Sequence, residues 1–329
     1  MKNVFTFLLL LFSLLCNGQS PKLFTTDKEL SSSLINQIYQ DRNGFIWIAT
    51  EDGLNRYDGA KFTIYKHEPN NEHSLAHNFV RTVFEDSKGH LLIGTYIGIQ
   101  MYDPATDNFT PLAKLEDTGE TLESNINSFI ERKNGEIWVS GNVLCKLDIK
   151  DHLLTVRKVD IAVTSPGSLF EDKKQNVWMA KGEEGVYQLT PDNQLTLHLS
   201  KDNGYVKSIC EDQRGNIYVG SIRKGLFIYD KERKTFVPID LKEKGELPVC
   251  FLYSGIPNEL YIGTDGKGVV IYNIRTHEIS EYKFDNNYFD SGNSKIHSIL
   301  KDNSGNLWLA VYQKGVILIP ARTNSFKYI

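Results

Sequence analysis

The chain has 329 residues, of which 40% are hydrophobic and 24% charged, as in a globular protein with a substantial core. Its net charge of −4 is spread without blocks of one sign, whereas nucleic-acid-binding proteins carry a basic face, so we expect no nucleic-acid partner. The four cysteines are far apart and form no Cys-x-x-Cys or Cys/His cluster, so no disulfide framework, metal site or cofactor is predicted.

Residues 1–18 have the layout of a secretory signal peptide, with a positive charge near the start and small or polar residues at the end. The apolar run Val4–Leu15 between them is shorter than the about 20 residues that a membrane-spanning helix needs. Cys16 leaves a lipoprotein open as the alternative, although Leu15 stands where a small residue is preferred. Both interpretations predict that the protein leaves the cytoplasm, and cleavage after Gly18 would leave residues 19–329 as a periplasmic mature chain.

The stretch around Trp47 has the physical signature of a small antiparallel sheet. Alternating apolar residues on either side of Asp41-Arg42-Asn43-Gly44 predict two strands joined by a tight hairpin, because Asn and Gly both tolerate positive φ. Gly53 opens a third strand that ends in Tyr-Asp, and Lys61–Lys66 alternates as a fourth strand.

The same pattern occurs seven times, in copies that span about residues 36–58, 81–103, 127–148, 168–190, 207–230, 249–273 and 297–320. All four tryptophans of the chain lie at one position of this repeat, where the remaining copies have Leu92, Tyr218 and Tyr261. Four strands in each copy of about 40 to 45 residues are typical of a propeller blade. The sequence therefore predicts an all-β fold, a seven-bladed β-propeller of four-stranded antiparallel blades.

The two ends of the mature chain both read as outer strands. Lys22–Thr26 stands before copy one in the way that Lys61–Lys66 stands before copy two, so it resembles an outer strand that is able to close the ring, and the sequence does not decide which end of the chain does so. Ser325–Ile329 has the same character and is the alternative closing strand.

The repeated residues are predicted to be structural. A general acid or base occurs once in an active site, whereas a residue that recurs in blade after blade caps a turn or packs between blades, so no catalytic residue is predicted. These structural positions are Asp41, Gly44, Trp47, Gly53, Asp86, Gly89, Trp138, Trp178, Asp212, Gly215, Asp302, Gly305 and Trp308.

Ligand binding is expected where the copies differ, since function in a scaffold lies in its variable loops. The loop between the second and third strands lies on the same propeller face as the loop that joins two blades, and its residues change from copy to copy. Aromatic faces and charged donors of the kind that bind sugars are found there. The candidate ligand-binding residues are Tyr96, Arg223, Lys224, Asp265 and Tyr312, together with Glu51 and Asp52 of copy one.

The pattern I-x-x-D-x-x-G-x-[IL]-W-[IV]-[AG]-T-x-x-G-[LI]-x-x-Y-[DN] resembles the two-component regulator propeller repeat, and Gln37–Asp58 and Thr82–Asp103 match it closely. The resemblance implies the periplasmic sensor region of hybrid two-component systems of Bacteroidetes, which detect oligosaccharides released from complex polysaccharides. In that family two propellers usually precede a further β-domain, a membrane helix, a histidine kinase and a response regulator.

This sequence has one propeller's worth of repeats and no kinase or receiver segment, so only the extracytoplasmic binding role is carried over. The chain is either the front portion of a longer sensor or a stand-alone relative. We expect a non-enzymatic sensor propeller with an oligosaccharide ligand, further sensor domains or a second propeller as partners, and a homodimer as a further possibility. A protein-docking scaffold and a propeller polysaccharide lyase or glycosidase remain as alternatives.

Overall fold

A computed structural model describes residues 20–199, 204–241, 247–284 and 287–321. The predicted signal peptide and the Ser325–Ile329 strand lie outside these residues. The described chain is all-β, and its one helical element is a 3₁₀ turn at Ser291–Asn293. The fold is a β-propeller with seven blades.

Each blade is an antiparallel sheet whose strands A to D run from the central channel outward. Blades one to three contain β2 (Ile35–Gln40), β3 (Ile46–Thr50), β4 (Gly53–Tyr57) and β5 (Phe62–Tyr65); β6 (Val80–Glu85), β7 (Leu91–Thr95), β8 (Ile99–Asp103) and β9 (Asn108–Phe109); β11 (Ser128–Glu131), β12 (Ile137–Ser140), β13 (Leu144–Lys150) and β14 (Leu153–Lys158). Blades four and five contain β15 (Leu169–Glu171), β16 (Val177–Lys181), β17 (Gly185–Leu189) and β18 (Leu195–Leu199); β19 (Val206–Glu211), β20 (Ile217–Ser221), β21 (Gly225–Asp230) and β22 (Thr235–Pro238). Blades six and seven contain β23 (Val249–Ile256), β24 (Glu259–Thr264), β25 (Val269–Asn273) and β26 (Ile279–Glu281); β27 (Ile296–Lys301), β28 (Leu307–Val311), β29 (Gly315–Ile319) and β1 (Lys22–Phe24).

The N-terminal strand closes the ring. β1 pairs antiparallel with β29, with Lys22 opposite Leu318 and Phe24 opposite Val316, so the start of the chain supplies strand D of blade seven. The Phe24 ring is fully buried and stacks on Trp308, with ring centroids 5.8 Å apart. The sequence left open which terminal segment closes the propeller, and the pairing of β1 with β29 shows that the N-terminal segment supplies this strand.

Blade three carries a fifth strand that the repeat did not predict. β10 (Lys114–Leu115) comes from the connection between blades two and three and pairs parallel with β14, where Lys114 lies opposite Thr155. It covers the outer edge of this blade, and covered edges are protected from pairing with other chains.

The hydrophobic core lies between neighbouring blades. Strand B is buried at every position in blades one, two, five and seven, because each blade is packed on both faces. The side chains of Trp47, Trp178 and Trp308 are fully or almost fully buried in these seams.

The repeated Asp ties the A–B hairpin and also anchors the Trp. Asp41 accepts backbone hydrogen bonds from Asn43 and Phe45 at 3.0 and 2.9 Å through Oδ1, and Oδ2 accepts the Trp47 indole N–H at 2.7 Å. Asp172 and Asp302 hold the tryptophans of blades four and seven in the same way, at 2.9 and 2.8 Å. This arrangement satisfies a buried carboxylate and a buried indole together.

In blades two, three and five, which lack either the Asp or the Trp, other side chains form a corresponding hydrogen bond. Blade three has Arg132 in place of the Asp, and the Trp138 indole N–H donates to Glu136 at 3.0 Å instead. Blade two has no Trp, and Asp86 pairs with the His90 ring at 2.7 Å. Asp212 of blade five accepts the hydroxyl of Tyr218 at 3.2 Å.

The glycines of the repeat sit where the backbone has a positive φ, and at Gly53 a side chain would also meet a neighbouring strand. Gly44 has φ of 89° in the hairpin turn, a conformation that glycine adopts without steric cost, and Gly89, Gly215 and Gly305 are equivalent. Gly53 has φ of 126°, and a Cβ there would lie 2.8 Å from the Tyr65 carbonyl oxygen, because strand C starts close against strand D.

A second set of acids braces neighbouring blades. The last residue of strand A accepts a hydrogen bond from the hairpin of the preceding blade, so four of the seven seams carry a charge-assisted contact. The pairs are Arg42 N to Glu85 at 2.7 Å, Ser87 N to Glu131 at 2.6 Å, Lys133 N to Glu171 at 2.7 Å and Lys173 N to Glu211 at 3.5 Å.

Candidate functional site

The strand order places two sets of loops on one face of the propeller. The loops between strands B and C and the loops that join one blade to the next both emerge where the A strands begin, and we call this the top face. A cavity of about 700 Å³ opens there at the mouth of the central channel. Its wall is formed mainly by the first residues of the A strands.

One residue of each blade forms a ring around this cavity. In five blades the pairing of strands A and B skips a residue, passing from Ile35 to Gln37, Val80 to Thr82, Val206 to Ser208, Val249 to Phe251 and Ile296 to Ser298. A β-bulge of this kind leaves the extra residue unpaired and redirects its side chain. The equivalent residues of blades three and four, Asn127 and Gly167, directly precede or flank the start of strand A. The channel ring therefore consists of Asn36, Arg81, Asn127, Gly167, Lys207, Cys250 and His297, all of which line the cavity.

Two ring residues hold the scaffold together. The Asn36 amide donates to the Val80 carbonyl at 2.7 Å, and the Asn127 amide donates to the Pro166 carbonyl at 3.0 Å. Each bond crosses to the following blade, so the cavity wall is fixed from one blade to the next. Burial raises the pKa of the Cys250 thiol to about 11, so this ring residue is an uncharged thiol at neutral pH.

The basic ring residues are not neutralised by carboxylates. Arg81 and Lys207 form no ion pair with any carboxylate among the residues that the structure describes, and the buried Nε of Arg81 has no hydrogen-bond partner there. The Arg81 guanidinium lies over the Phe79 ring, with 5.2 Å between Cζ and the centroid.

His297 is the third basic ring residue and it is neutral at neutral pH. Burial of the imidazole lowers its pKa, and the nearby Lys207 charge lowers it further. Its ring packs against Tyr312 with centroids 4.9 Å apart.

The acids that line the cavity are engaged with other cations. Glu184 pairs with Lys181 at 2.7 Å, and Glu183 lies 3.4 Å from Arg223. Both acids belong to one B–C loop of blade four. The field in the channel mouth is therefore set by the unpaired Arg81 and Lys207.

Two of the predicted ligand-binding residues are tyrosines on the top face. Tyr96 is 53% exposed and contacts His77 and Phe79, with ring centroids 5.5 and 6.0 Å apart. Tyr312 is 37% exposed, and Lys295 lies over its ring at 5.7 Å.

The predicted charged residues form ion pairs or lie at the edge of the face. Asp265 pairs with Lys295 at 2.7 Å, and Arg223 pairs with Glu183. Asp52 binds Lys66 at 2.6 Å and the Asn78 amide at 3.0 Å, so it fixes a blade-joining loop. Glu51 is exposed, and the Lys224 backbone N–H donates to Ser221 Oγ at 3.2 Å.

None of the seven predicted ligand-binding residues lines the cavity itself. Tyr312 and Arg223 border it through contacts with His297 and Glu183. The sequence contained a signal for the missed residues. The position five residues before the repeated Asp holds Asn36 in blade one but Arg81, Lys207 and His297 in blades two, five and seven.

Exposed tyrosines are concentrated on the top face. Among the described residues, the tyrosines with the largest exposure are Tyr96, Tyr205, Tyr288 and Tyr312, at 53, 39, 51 and 37%. All four lie in B–C loops or blade-joining loops. The Tyr288 hydroxyl donates to the Pro21 carbonyl at 3.4 Å, at the end of β1 away from the top face, so the exposed tyrosines of the top face are Tyr96, Tyr205 and Tyr312. The exposed aliphatic side chains Ile64, Leu153 and Leu197 lie instead on outer D strands.

Comparison with known families identifies the repeat. Residues 29–52, 74–96 and 200–223 match the family described as two component regulator propeller. These segments fall on copies one, two and five. Three of the seven copies therefore match the two component regulator propeller repeat. A protein of Formosa agariphila named as a histidine kinase is 37% identical over 83 residues, which cover 23% of this chain and 6% of that protein.

Solved structures share the fold of these repeats. The extracellular domain of a protein of B. thetaiotaomicron described as a hybrid two component system superposes with a TM-score of 0.78 at 22% identity, over 92% of this chain and 42% of that chain. Virginiamycin B lyase of Staphylococcus aureus superposes with a TM-score of 0.68 at 13% identity, over 91% of this chain and 99% of that chain. The chain thus spans less than half of that extracellular domain, and its match covers a small part of the named kinase.

The described residues include neither a candidate membrane-spanning helix nor a candidate metal centre. No helix there is long and apolar enough to cross a membrane. No group of three or more His, Cys, Asp or Glu side chains is arranged there to hold a metal ion.

Proposed function

We propose that this chain is a ligand-recognition propeller in the extracytoplasmic sensor part of a two-component signalling system, and that it binds an oligosaccharide on its top face without chemical turnover. The observation that carries the proposal is a set of three exposed tyrosines on the top face, Tyr96, Tyr205 and Tyr312, of which Tyr205 lines the cavity. Tyrosine combines an apolar ring with a polar hydroxyl group, which suits it to a ligand whose rings have apolar faces and hydroxyl edges.

The top face is a rigid site, which favours recognition. Gln37 accepts a backbone hydrogen bond from Val83 at 2.7 Å, and Ser298 accepts one from Ile38 at 3.1 Å. Each of these bonds joins neighbouring A strands beside the channel ring. A pocket that is formed before the ligand arrives loses less entropy on binding.

The carboxylates of the cavity support binding rather than hydrolysis. A glycosidase uses two carboxyl groups that face each other across the scissile bond. Glu183 and Glu184 are the acids that line the described cavity, and they are adjacent in one loop and paired with Arg223 and Lys181. They therefore cannot flank a sugar from opposite sides.

The sensor role is supported by the matched repeats and by the named relatives. We propose a periplasmic location and further sensor domains or a second propeller as neighbours in the signalling protein. Cell fractionation tests the location. An epitope-tagged chain expressed in its own host is expected in the periplasmic fraction, and recovery with cytoplasmic proteins would contradict the proposed location.

Calorimetry with a library of plant and algal oligosaccharides tests the binding role. We expect at least one saccharide to bind, and Tyr96→Ala or Tyr312→Ala to weaken its affinity at least tenfold because a stacking ring is lost. Ile64→Ala is the matched control, since Ile64 is 46% exposed on strand D of blade one, away from the top face.

The same mixtures are then analysed by chromatography. Release of shortened or unsaturated products would show an enzyme and contradict the proposal. If no saccharide binds, a protein-docking role replaces oligosaccharide recognition.

A further inference from the structure

We infer that the channel ring receives a negatively charged substituent of the saccharide, a carboxylate or a sulfate group, between Arg81, Lys207 and His297. This inference rests on the proposed function, because it names the class of saccharide that the top face selects. It is carried by three observations: the bulges, the unpaired cations and their placement around the channel.

The bulges place the three basic side chains in one cavity. Arg81, Lys207 and His297 are each the residue that the A–B pairing skips, in β6, β19 and β27. A side chain in a regular A strand would alternate between the two neighbouring seams, and the bulge redirects it. All three line the same cavity of about 700 Å³.

The three residues surround the channel. They belong to blades two, five and seven of the seven-bladed ring, so the steps between them are three, two and two blades. A ligand group on the channel axis is therefore faced from three sides. The ring positions between them carry no charge: they are Asn36, Asn127, Gly167 and Cys250.

The absence of carboxylate partners makes the ring attractive to an anion. Two like charges in a partly enclosed mouth repel each other, and the repulsion is relieved when an anion enters. Arg81 offers a planar guanidinium with its Nε unpartnered, which suits the two oxygens of a carboxylate or sulfate. Lys207 adds an exposed ammonium group from the opposite side.

His297 adapts to the charge of the ligand. In the described structure it is faced by Lys207, Lys295, Asp265 and Tyr312, and burial together with the lysines keeps its pKa low. An anion between these groups favours the imidazolium form and raises the pKa. The imidazole then donates a hydrogen bond to the ligand.

A saccharide accounts for the site better than a free inorganic anion does. The cavity extends beyond the ring to Tyr205, whose ring packs on Gly182 so closely that a Cβ there would lie 3.0 Å from it. Tyr312 packs on His297 at the rim. A ligand that carries both an anionic group and a sugar ring contacts all of these residues at once.

The test compares matched acidic and neutral saccharides by calorimetry on the purified full chain. The probes are oligogalacturonides and their methyl esters, sulfated galactan oligosaccharides and their desulfated forms, and inorganic sulfate. We expect an acidic form to bind at least tenfold more tightly than its neutral counterpart, and its affinity to fall as salt concentration rises.

Arg81→Gln and Lys207→Gln are each expected to weaken binding of the acidic saccharide at least tenfold and to leave the weak binding of the neutral form unchanged. Lys174→Gln is the matched control, because Lys174 is an exposed lysine in the A–B hairpin of blade four, on the opposite face. Thermal melts establish that the variants are folded. Lys207→Gln keeps the test valid if Arg81→Gln is unstable, since Lys207 is exposed.

The outcomes separate this inference from the proposed function. Equal affinity for the acidic and neutral forms overturns the anionic class but leaves oligosaccharide recognition intact. Binding of inorganic sulfate as tight as that of any saccharide, and weakened by Lys207→Gln, overturns the saccharide and leaves a small-anion site. Binding of no probe overturns both.

Discussion

At the residue scale, the repeated Asp stabilises the fold mainly by accepting hydrogen bonds from groups that have no other acceptor. Asp41 and Trp47 are both buried, and the Asp41 carboxylate accepts hydrogen bonds from the Trp47 indole and from two backbone amides. Water cannot replace these acceptors inside the seam between blades. Loss of the Asp41 carboxylate is therefore expected to lower stability by more than loss of the Asp41–Trp47 hydrogen bond alone would.

We expect Asp41→Ala to lower the free energy of unfolding by about 3 kcal/mol, because buried donors left without an acceptor each cost about 1–3 kcal/mol. Urea denaturation measures the loss. Asp58→Ala is the control: Asp58 accepts backbone N–H bonds from Ala60 and Lys61 in an exposed turn, so a smaller loss is expected. Equal losses in the two variants would show that the Trp47 contact adds nothing.

The sequence predicted these structural residues but not the channel ring, for one reason. Asp41 and Trp47 recur in several copies, so the copies support one another, whereas the channel ring, which includes Arg81 and His297, holds six different residue types in seven blades. A bulge depends on how strand A meets strand B and the next blade, and alternation of apolar residues does not reveal it. The predicted loop residues were chosen for their variability and for side chains that suit sugars, and neither criterion distinguishes the rim of a cavity from its wall.

At the element scale, closure of the propeller depends on β1, a strand that no turn connects to the rest of blade seven. β1 is joined to β29 by pairing alone, whereas β22 of blade five follows its neighbour β21 through a short turn. The short β10 has no repeat to support it, and its pairing with β14 is decided by the tertiary structure. Strand Lys22–Phe24 was predictable because its sequence resembles the other D strands.

We expect Phe24→Ala to lower the free energy of unfolding by about 3–5 kcal/mol, as for other buried Phe side chains. Phe24 packs on Trp308, Tyr57 and Phe62 at the closure. Hydrogen exchange is expected to rise in β1 and β29 first, because these strands separate when their anchor is lost.

Phe236→Ala is the matched control for the closure. Phe236 is also a buried D-strand phenylalanine, 6% exposed in β22, but its strand is tethered by a turn. The control is expected to lose stability without a local rise in exchange of its blade edge. The same exchange pattern in both variants would show that β1 is no weaker than other outer strands.

At the scale of the whole molecule, counting repeats was enough to predict the architecture, because each copy is one blade and the blades close a ring. The electrostatic behaviour was not predictable in this way. The packing of neighbouring blades determines which histidine is buried and which charged group lies beside it. His198 shows this: its ring lies between Trp178 and Tyr229, with centroids 5.2 and 5.3 Å away.

This burial predicts a pH dependence of stability. Burial lowers the pKa values of His77, His198 and His297 below the ordinary 6.5, so the unfolded chain binds more protons than the folded chain in this range. The stability that neutral histidine provides is complete above pH 6.5 and is lost as the pH falls below it. Carboxyl groups affect stability at lower pH. Hydrogen bonds from Lys146 and Trp138 lower the pKa of Glu136 to about 2, and the stability that this carboxylate provides is lost only as the pH falls below the ordinary 4.5.

Urea denaturation between pH 8 and pH 5 is therefore expected to show a falling free energy of unfolding below about pH 6.5, the ordinary histidine pKa. His198→Gln removes one titrating group and is expected to make the slope shallower, since linkage depends on the difference in bound protons. A saturating acidic saccharide at the channel ring is expected to flatten the slope further, because an anion beside His297 raises its pKa in the folded state. A stability that stays constant from pH 8 to pH 5 would contradict the lowered pKa values, and a slope unaffected by the saccharide would separate His297 from the bound anion.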